Sequence, residues 1–121
     1  MSHAKAHAAY AVADLTTLEP VRCPCGWARR AFGALPDALL SLHVVDVERD
    51  AQTHRHAHHT EVYFVLECEP GAKVELDGEA VEVRPGFAVY IPPGVRHRAA
   101  GRMKILNVVL PPFDEADEHF D

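Results

Sequence analysis

Four of the nine histidines in this 121-residue chain fall within six positions, at His54, His56, His58 and His59. Side chains two apart on a β-strand share a face. His54 and His56 therefore offer two imidazoles side by side, a geometry a metal ion can use. Glu61 follows His56 by five residues and has the opposite parity. It can join the two imidazoles only if the chain turns or bulges between Ala57 and Thr60. Beyond that corner Glu61 would open a new strand, pointing inward with Tyr63 and Val65.

A third imidazole comes from farther along. His97 follows Pro92-Pro93-Gly94, where the chain bends and re-enters a sheet. Three neutral imidazoles and one carboxylate form a mixed nitrogen and oxygen set. It suits one divalent transition ion per chain: Fe, Mn, Ni, Co or Zn. Four protein ligands on an octahedral ion leave two adjacent positions for water, dioxygen or a chelating substrate. Tyr63 shares a face with Glu61, so its phenol is a candidate general base; a barrel-lining aromatic is the other reading.

Other polar residues read more plainly. A set of His56, His58 and Glu61 leaves too few residues between its members, so His58 is expected outside the site and His59 in solvent. His43 alternates with apolar neighbours and reads as a satisfied core or sheet residue. Arg96 and Arg98 flank His97 and should point away from it. They read as a solvated face, with a substrate carboxylate at the rim as the alternative. Cys23-Pro24-Cys25 is too tight for an unstrained bridge in most backbones, and Cys68 reads as a small hydrophobe.

The elements that must carry these side chains are short strands. Residues 39–47 and 61–66 are rich in branched and aromatic types. Residues 73–76 and 80–83 flank Asp77-Gly78, a strong hairpin signal because both turn positions need positive φ. Residues 87–91, 95–99 and 103–110 follow, separated by Gly and Pro turns. Many short strands without an amphipathic helix predict an all-β sandwich or barrel.

At this point the chain resembles a small single-domain cupin. His54-Arg55-His56, four residues, then Glu61 match that family's first motif, though Cys68 stands where a glycine is expected. Gly86, Pro92, Gly94 and His97 match the second motif in every spacing, while Gly101 replaces its terminal asparagine. The resemblance implies a double-stranded β-helix, or jelly roll, with the metal inside the barrel mouth. It also implies a homodimer, and chemistry of the dioxygenase, isomerase or lyase kinds.

Composition narrows the rest. The length suits one domain, read as an N-terminal arm over 1–12, a barrel over 13–113 and an acidic tail over 114–121. Net charge is −6, with five acidic residues in that tail and near neutrality elsewhere. No basic face exists for nucleic acid. No apolar run is long enough to span a bilayer. Residues 1–10 lack the apolar segment of a secretion signal, so the cytoplasm is the expected compartment. The tail's carboxylates are expected in water, with Phe113 and Phe120 against the barrel. The leading reading is a divalent-metal-dependent enzyme acting on a small oxygenated or carboxylate substrate. A non-catalytic, metal-dependent binder of a sugar or carboxylate is the alternative, and a purely structural ion is a third.

Overall fold

A computed structural model describes residues 5–6 and 10–121. His3 and His7, and most of the expected N-terminal arm, lie outside the described residues. Thirteen strands follow in order: β1 (Lys5–Ala6), β2 (Ala11–Val12), β3 (Val21–Cys23), β4 (Gly26–Ala31), β5 (Ser41–Val47), β6 (Arg55–His56) and β7 (Thr60–Cys68). They continue with β8 (Lys73–Leu76), β9 (Glu79–Glu82), β10 (Ala88–Ile91), β11 (His97–Ala100), β12 (Met103–Leu110) and β13 (Glu118–His119). Two 3-10 turns, Leu15–Thr17 and Glu115–Asp117, complete the set. No α-helix occurs among the described residues, and no helix is long and apolar enough to cross a membrane.

The architecture is an antiparallel jelly-roll barrel. Six strands form one sheet in the order β10-β7-β12-β5-β4-β3, and three form another in the order β11-β8-β9. β1 pairs with β2, and β13 with β6. The β8–β9 hairpin turns through Asp77 at φ 49° and Gly78 at φ 82°. That pair of positive angles is what the Asp-Gly dipeptide favours.

Alternation decides what faces inward. In β5 the buried positions are Ser41, His43, Val45 and Val47, and in β12 they are Met103, Ile105, Asn107 and Val109. β7 buries Glu61, Tyr63 and Val65. Strand register then lines these up in rows. Val45 pairs with Ile105, and Ile105 with Val65, at the apolar end of the barrel. One step along, His43 pairs with Asn107 and Asn107 with Tyr63. β4 extends that second row with Arg30, opposite His43. The same inner face thus changes from hydrocarbon to polar groups within two residues of each strand.

Two expectations differ from the structure. Cys23 and Cys25 are joined in a disulfide, their Cα atoms 5.1 Å apart. The chain folds back over Pro24 into the β3–β4 hairpin, where Cys23 pairs with Gly26, and this brings the thiols together. The acidic tail is also not simply solvated. Asp117 is buried, and β13 adds to β6 beside the histidine cluster.

Candidate metal centre

The first histidine pair and the last are stitched together by backbone. His97 N–H donates to the His54 carbonyl at 2.8 Å, and His54 N–H returns a bond to the His97 carbonyl at 3.1 Å. Gly94, at φ 87°, donates to the His56 carbonyl at 2.7 Å. A left-handed backbone at this point suits glycine, and it ties the Pro-Pro-Gly bend to the first strand of the site.

After His56 the chain bends at Ala57 and His58 before β7 begins. That bend resets the parity, so Glu61 joins His54 and His56. Asp117 holds it. Its carboxylate accepts the N–H groups of Ala57 at 2.9 Å, His58 at 2.9 Å and His59 at 3.1 Å. Burial pushes the Asp117 pKa upward, but these three donors outweigh it and bring the pKa down to about 2.

His54, His56, Glu61 and His97 are all buried, and one ligand atom from each lies within 4.8 Å of the others. Each imidazole presents its Nδ1 to a backbone carbonyl: His54 to Gln52 at 2.8 Å, His97 to Val95 at 2.9 Å and His56 to Asp117 at 3.1 Å. Donation from Nδ1 leaves a lone pair on each Nε2, the tautomer a metal ion takes. Glu61 Oε1 is 2.9 Å from His97 Nε2 and 3.3 Å from His56 Nε2. Ligands about 2.1 Å from an ion and at right angles to each other are about 3 Å apart. The buried His56 Nε2 makes no hydrogen bond among the described residues. Acceptor atoms buried this close repel one another unless a proton or a cation lies between them, so the residues fit a bound ion.

The electrostatics agree. Burial lowers the His54 pKa to about 4, helped by the nearby His97. Burial also opposes protonation of His56, yet Glu61 outweighs it and raises the pKa. For Glu61, burial pushes upward, but His56 and His97 hold the carboxyl well below its usual range. Asn107 Nδ2 donates to Glu61 Oε2 at 2.8 Å and fixes the free oxygen. Tyr63 is buried, which raises its pKa well above 10, and Glu61 adds to the shift. It is a neutral phenol that borders the same small cavity.

His58 is exposed, as expected. His59 corrects the expectation of solvent: it is 2% exposed. Asp114 N–H donates to its Nε2 at 3.2 Å, so Nδ1 carries the proton and faces Asp117 Oδ2 at 3.4 Å. Its ring stacks on Phe113 and packs against His56. His56, His59 and Asp117 also converge within ion-binding distance. Their atoms are already engaged with one another and with backbone N–H groups, so they support the first group. Arg98 pairs with Glu75 at 2.9 Å and Arg96 is exposed. The arginine facing the interior is Arg30, which sequence reasoning passed over. A polar residue at an inward position of a strand marks Asn107 and His43; Asp117 carries no such signal.

The sequence matches the Cupin domain family over residues 41–109. A curated relative, an uncharacterized protein of Methanocaldococcus jannaschii, is 32% identical over 78 residues, which is 61% of this chain and 61% of that protein's length. A crystal structure of a protein from Planctomyces limnophilus superposes with a TM-score of 0.86 at 44% identity, covering 90% of this chain and 95% of its own. Pac13 of Streptomyces, described as a nucleoside dehydratase, shares the fold with a TM-score of 0.74 at 22% identity, over 89% of this chain and 88% of that one.

Proposed function

The chain belongs to the cupin family, and from that premise we propose that it is a divalent-metal-dependent enzyme acting on a small oxygenated or carboxylate compound. The observation that carries the reading is the convergence of three carbonyl-anchored imidazoles and Glu61 on one buried point. His54, His56, Glu61 and His97 would hold one ion, Fe, Mn, Ni, Co or Zn. Bound there, the ion would supply Lewis-acid polarisation of a substrate oxygen.

Within the possible chemistries, proton transfer by a lyase or isomerase is favoured over dioxygen activation. Tyr63 stands beside His97, ring centroids 5.9 Å apart, with its phenol at the cavity. As a neutral phenol it is placed to donate a hydrogen bond to a substrate oxygen, and to exchange a proton there. The fold is shared with a nucleoside dehydratase. We also propose a homodimer, because Phe64, Leu66 and Tyr90 leave apolar surface on the outer face of the six-stranded sheet.

The test is reconstitution with each ion and incubation in deuterated water with hydroxy acids, sugar acids and nucleosides. Deuterium incorporation or loss of water, seen by NMR and lost in Tyr63→Phe with binding retained, is the expected result. Stoichiometric oxygen uptake would move the reading to a dioxygenase. Ligands that bind only with the ion and return unchanged would make the protein a non-catalytic binder. Sedimentation analysis tests the dimer.

A further inference from the structure

Two cavities meet at one arginine. The first, of about 30 Å³, borders His54, His56, Glu61 and Tyr63. It has room for about one or two water-sized groups. The second, of about 380 Å³, opens beside residues 31–35. Arg30, His43 and Phe113 line both. These three residues form the border between the two, and a substrate with its reactive end in the first and its body in the second runs along them.

Arg30 is unusual in its partners. It occupies a part-buried position on β4 and makes no ion pair among the described residues; Glu118 and Glu115 act on it only at longer range. Its Nε donates to His43 Nδ1 at 3.3 Å. Accepting at Nδ1 puts the His43 proton on Nε2, which donates to Ser41 Oγ at 2.8 Å, and Phe113 N–H donates to the same oxygen at 2.9 Å. The guanidinium carbon sits 4.3 Å from the Phe113 ring centroid. One edge of the guanidinium is thus fixed by a chain of neutral groups and one face by an aromatic ring. Among the described residues the two Nη groups have no hydrogen-bond acceptor. A flat, pre-oriented fork of this kind matches two oxygens of a planar anion.

We infer that Arg30 is the anion-binding residue of the substrate cavity, and that the substrate carries a carboxylate at the end remote from the metal centre. The inference rests on the reading of His54, His56, Glu61 and His97 as that centre. The planar fork matches a carboxylate, and Glu118 and Glu115, acting on Arg30 from beyond ion-pair distance, repel a dianionic phosphate more than a single charge. Asn107 lies in the same cross-strand row, and its buried Oδ1 has no partner among the described residues. It offers an acceptor to a substrate hydroxyl between the two ends.

The test uses Ni(II)-loaded protein and calorimetry with pairs of 2-oxo acids of equal chain length. 2-Oxoglutarate is compared with 2-oxovalerate, and 2-oxoadipate with 2-oxohexanoate. The shared 2-oxo acid end reports on the metal centre and the distal carboxylate reports on Arg30. At least one diacid should bind about tenfold or more tighter than its monoacid, as one charge-assisted pair implies. Arg30→Gln should bring that ratio to about one, diacid affinity falling to that of the matching monoacid, and Arg30→Lys should restore part of it. Thermal unfolding and nickel content check that both variants fold and load. A preference that survives Arg30→Gln, or no preference in the native protein, overturns the inference while leaving the metal centre intact. Monoacids that bind equally well without nickel would instead remove the metal-centre reading, and the inference with it. Phosphate displacing a diacid at lower concentration than acetate does would overturn the choice of carboxylate.

Discussion

His54 and His97 are each held by the carbonyl of a residue two positions back, Gln52 and Val95. His56 is held instead by the carbonyl of Asp117, 61 residues away. The first two anchors are local: each ring is oriented by a carbonyl two residues back in its own segment. The third exists only once the C-terminal segment has docked. That segment also traps the bend after His56 through three N–H bonds to one carboxylate. The same tail therefore orients one imidazole and sets the parity that lets Glu61 face it. Two of the four converging side chains are oriented by local carbonyls, and the other two depend on a long-range contact.

Removing a ligand outright should have the largest effect. His56→Ala is expected to lower metal affinity by more than about 100-fold, beyond the range typical for groups outside the ligand set, while the barrel stays folded. Elemental analysis after dialysis, with circular dichroism, checks both parts. Full occupancy in the variant would take His56 out of the ligand set.

Removing the remote anchor comes next. Asp117→Ala strips the three backbone donors of their acceptor and frees the tail. Metal affinity should fall by about 10- to 100-fold, and stability by about 2 kcal/mol or more from the stranded N–H groups. A competitive chelator titration and urea unfolding measure these separately. Unchanged affinity alongside lost stability would show that the bend is set locally after all.

His43 provides a pH-dependent contrast, because its local partner is the Ser41 side chain rather than a carbonyl. Burial, followed by the charge of Arg30, lowers its pKa to about 4. The folded protein keeps this ring neutral where the unfolded chain would protonate it near pH 6.5. Its contribution is complete above about pH 6.5 and is lost as pH falls toward 4, by up to about 3 kcal/mol. In His43→Gln the slope of stability against pH in that window should drop by about one proton, or about 1.4 kcal/mol per unit. An unchanged slope would mean that His43 is protonated in the fold.

The smallest effects sharpen the local side of the comparison. Gln52→Ala keeps the carbonyl that orients His54, and His58 is exposed. Both Gln52→Ala and His58→Ala should leave metal affinity within about twofold. A larger loss in Gln52→Ala would mean that its side chain contributes.

Much of this was legible in the chain itself. The spacing of His54, His56, Glu61 and His97 identifies the four residues that meet, and the parity mismatch at Glu61 requires the bend that residues 57–59 make. The Asp77-Gly78 hairpin and the strands over 61–66 and 103–110 follow from turn chemistry and β-branched content. β3, β4 and β13, with its pairing to β6, are not legible, because strands of two or three residues and a charged one such as β4 carry little pattern of their own. The spacing of Cys23 and Cys25 argues against the bridge that forms, for a related reason: whether two such near thiols meet depends on how the hairpin folds over Pro24.

Sequence alone determined which side chains could bind an ion and which way they alternate, because spacing along a strand converts directly into facing. Tertiary structure alone decided that Asp117 traps the bend, that His59 is buried beneath Phe113, and that Arg30 lies in one row with His43, Asn107 and Tyr63. The physical reason is that these relations depend on the register between strands and on the docking of a tail. Both are set by the packing of the whole barrel, and residues far apart in the chain carry no local mark of them.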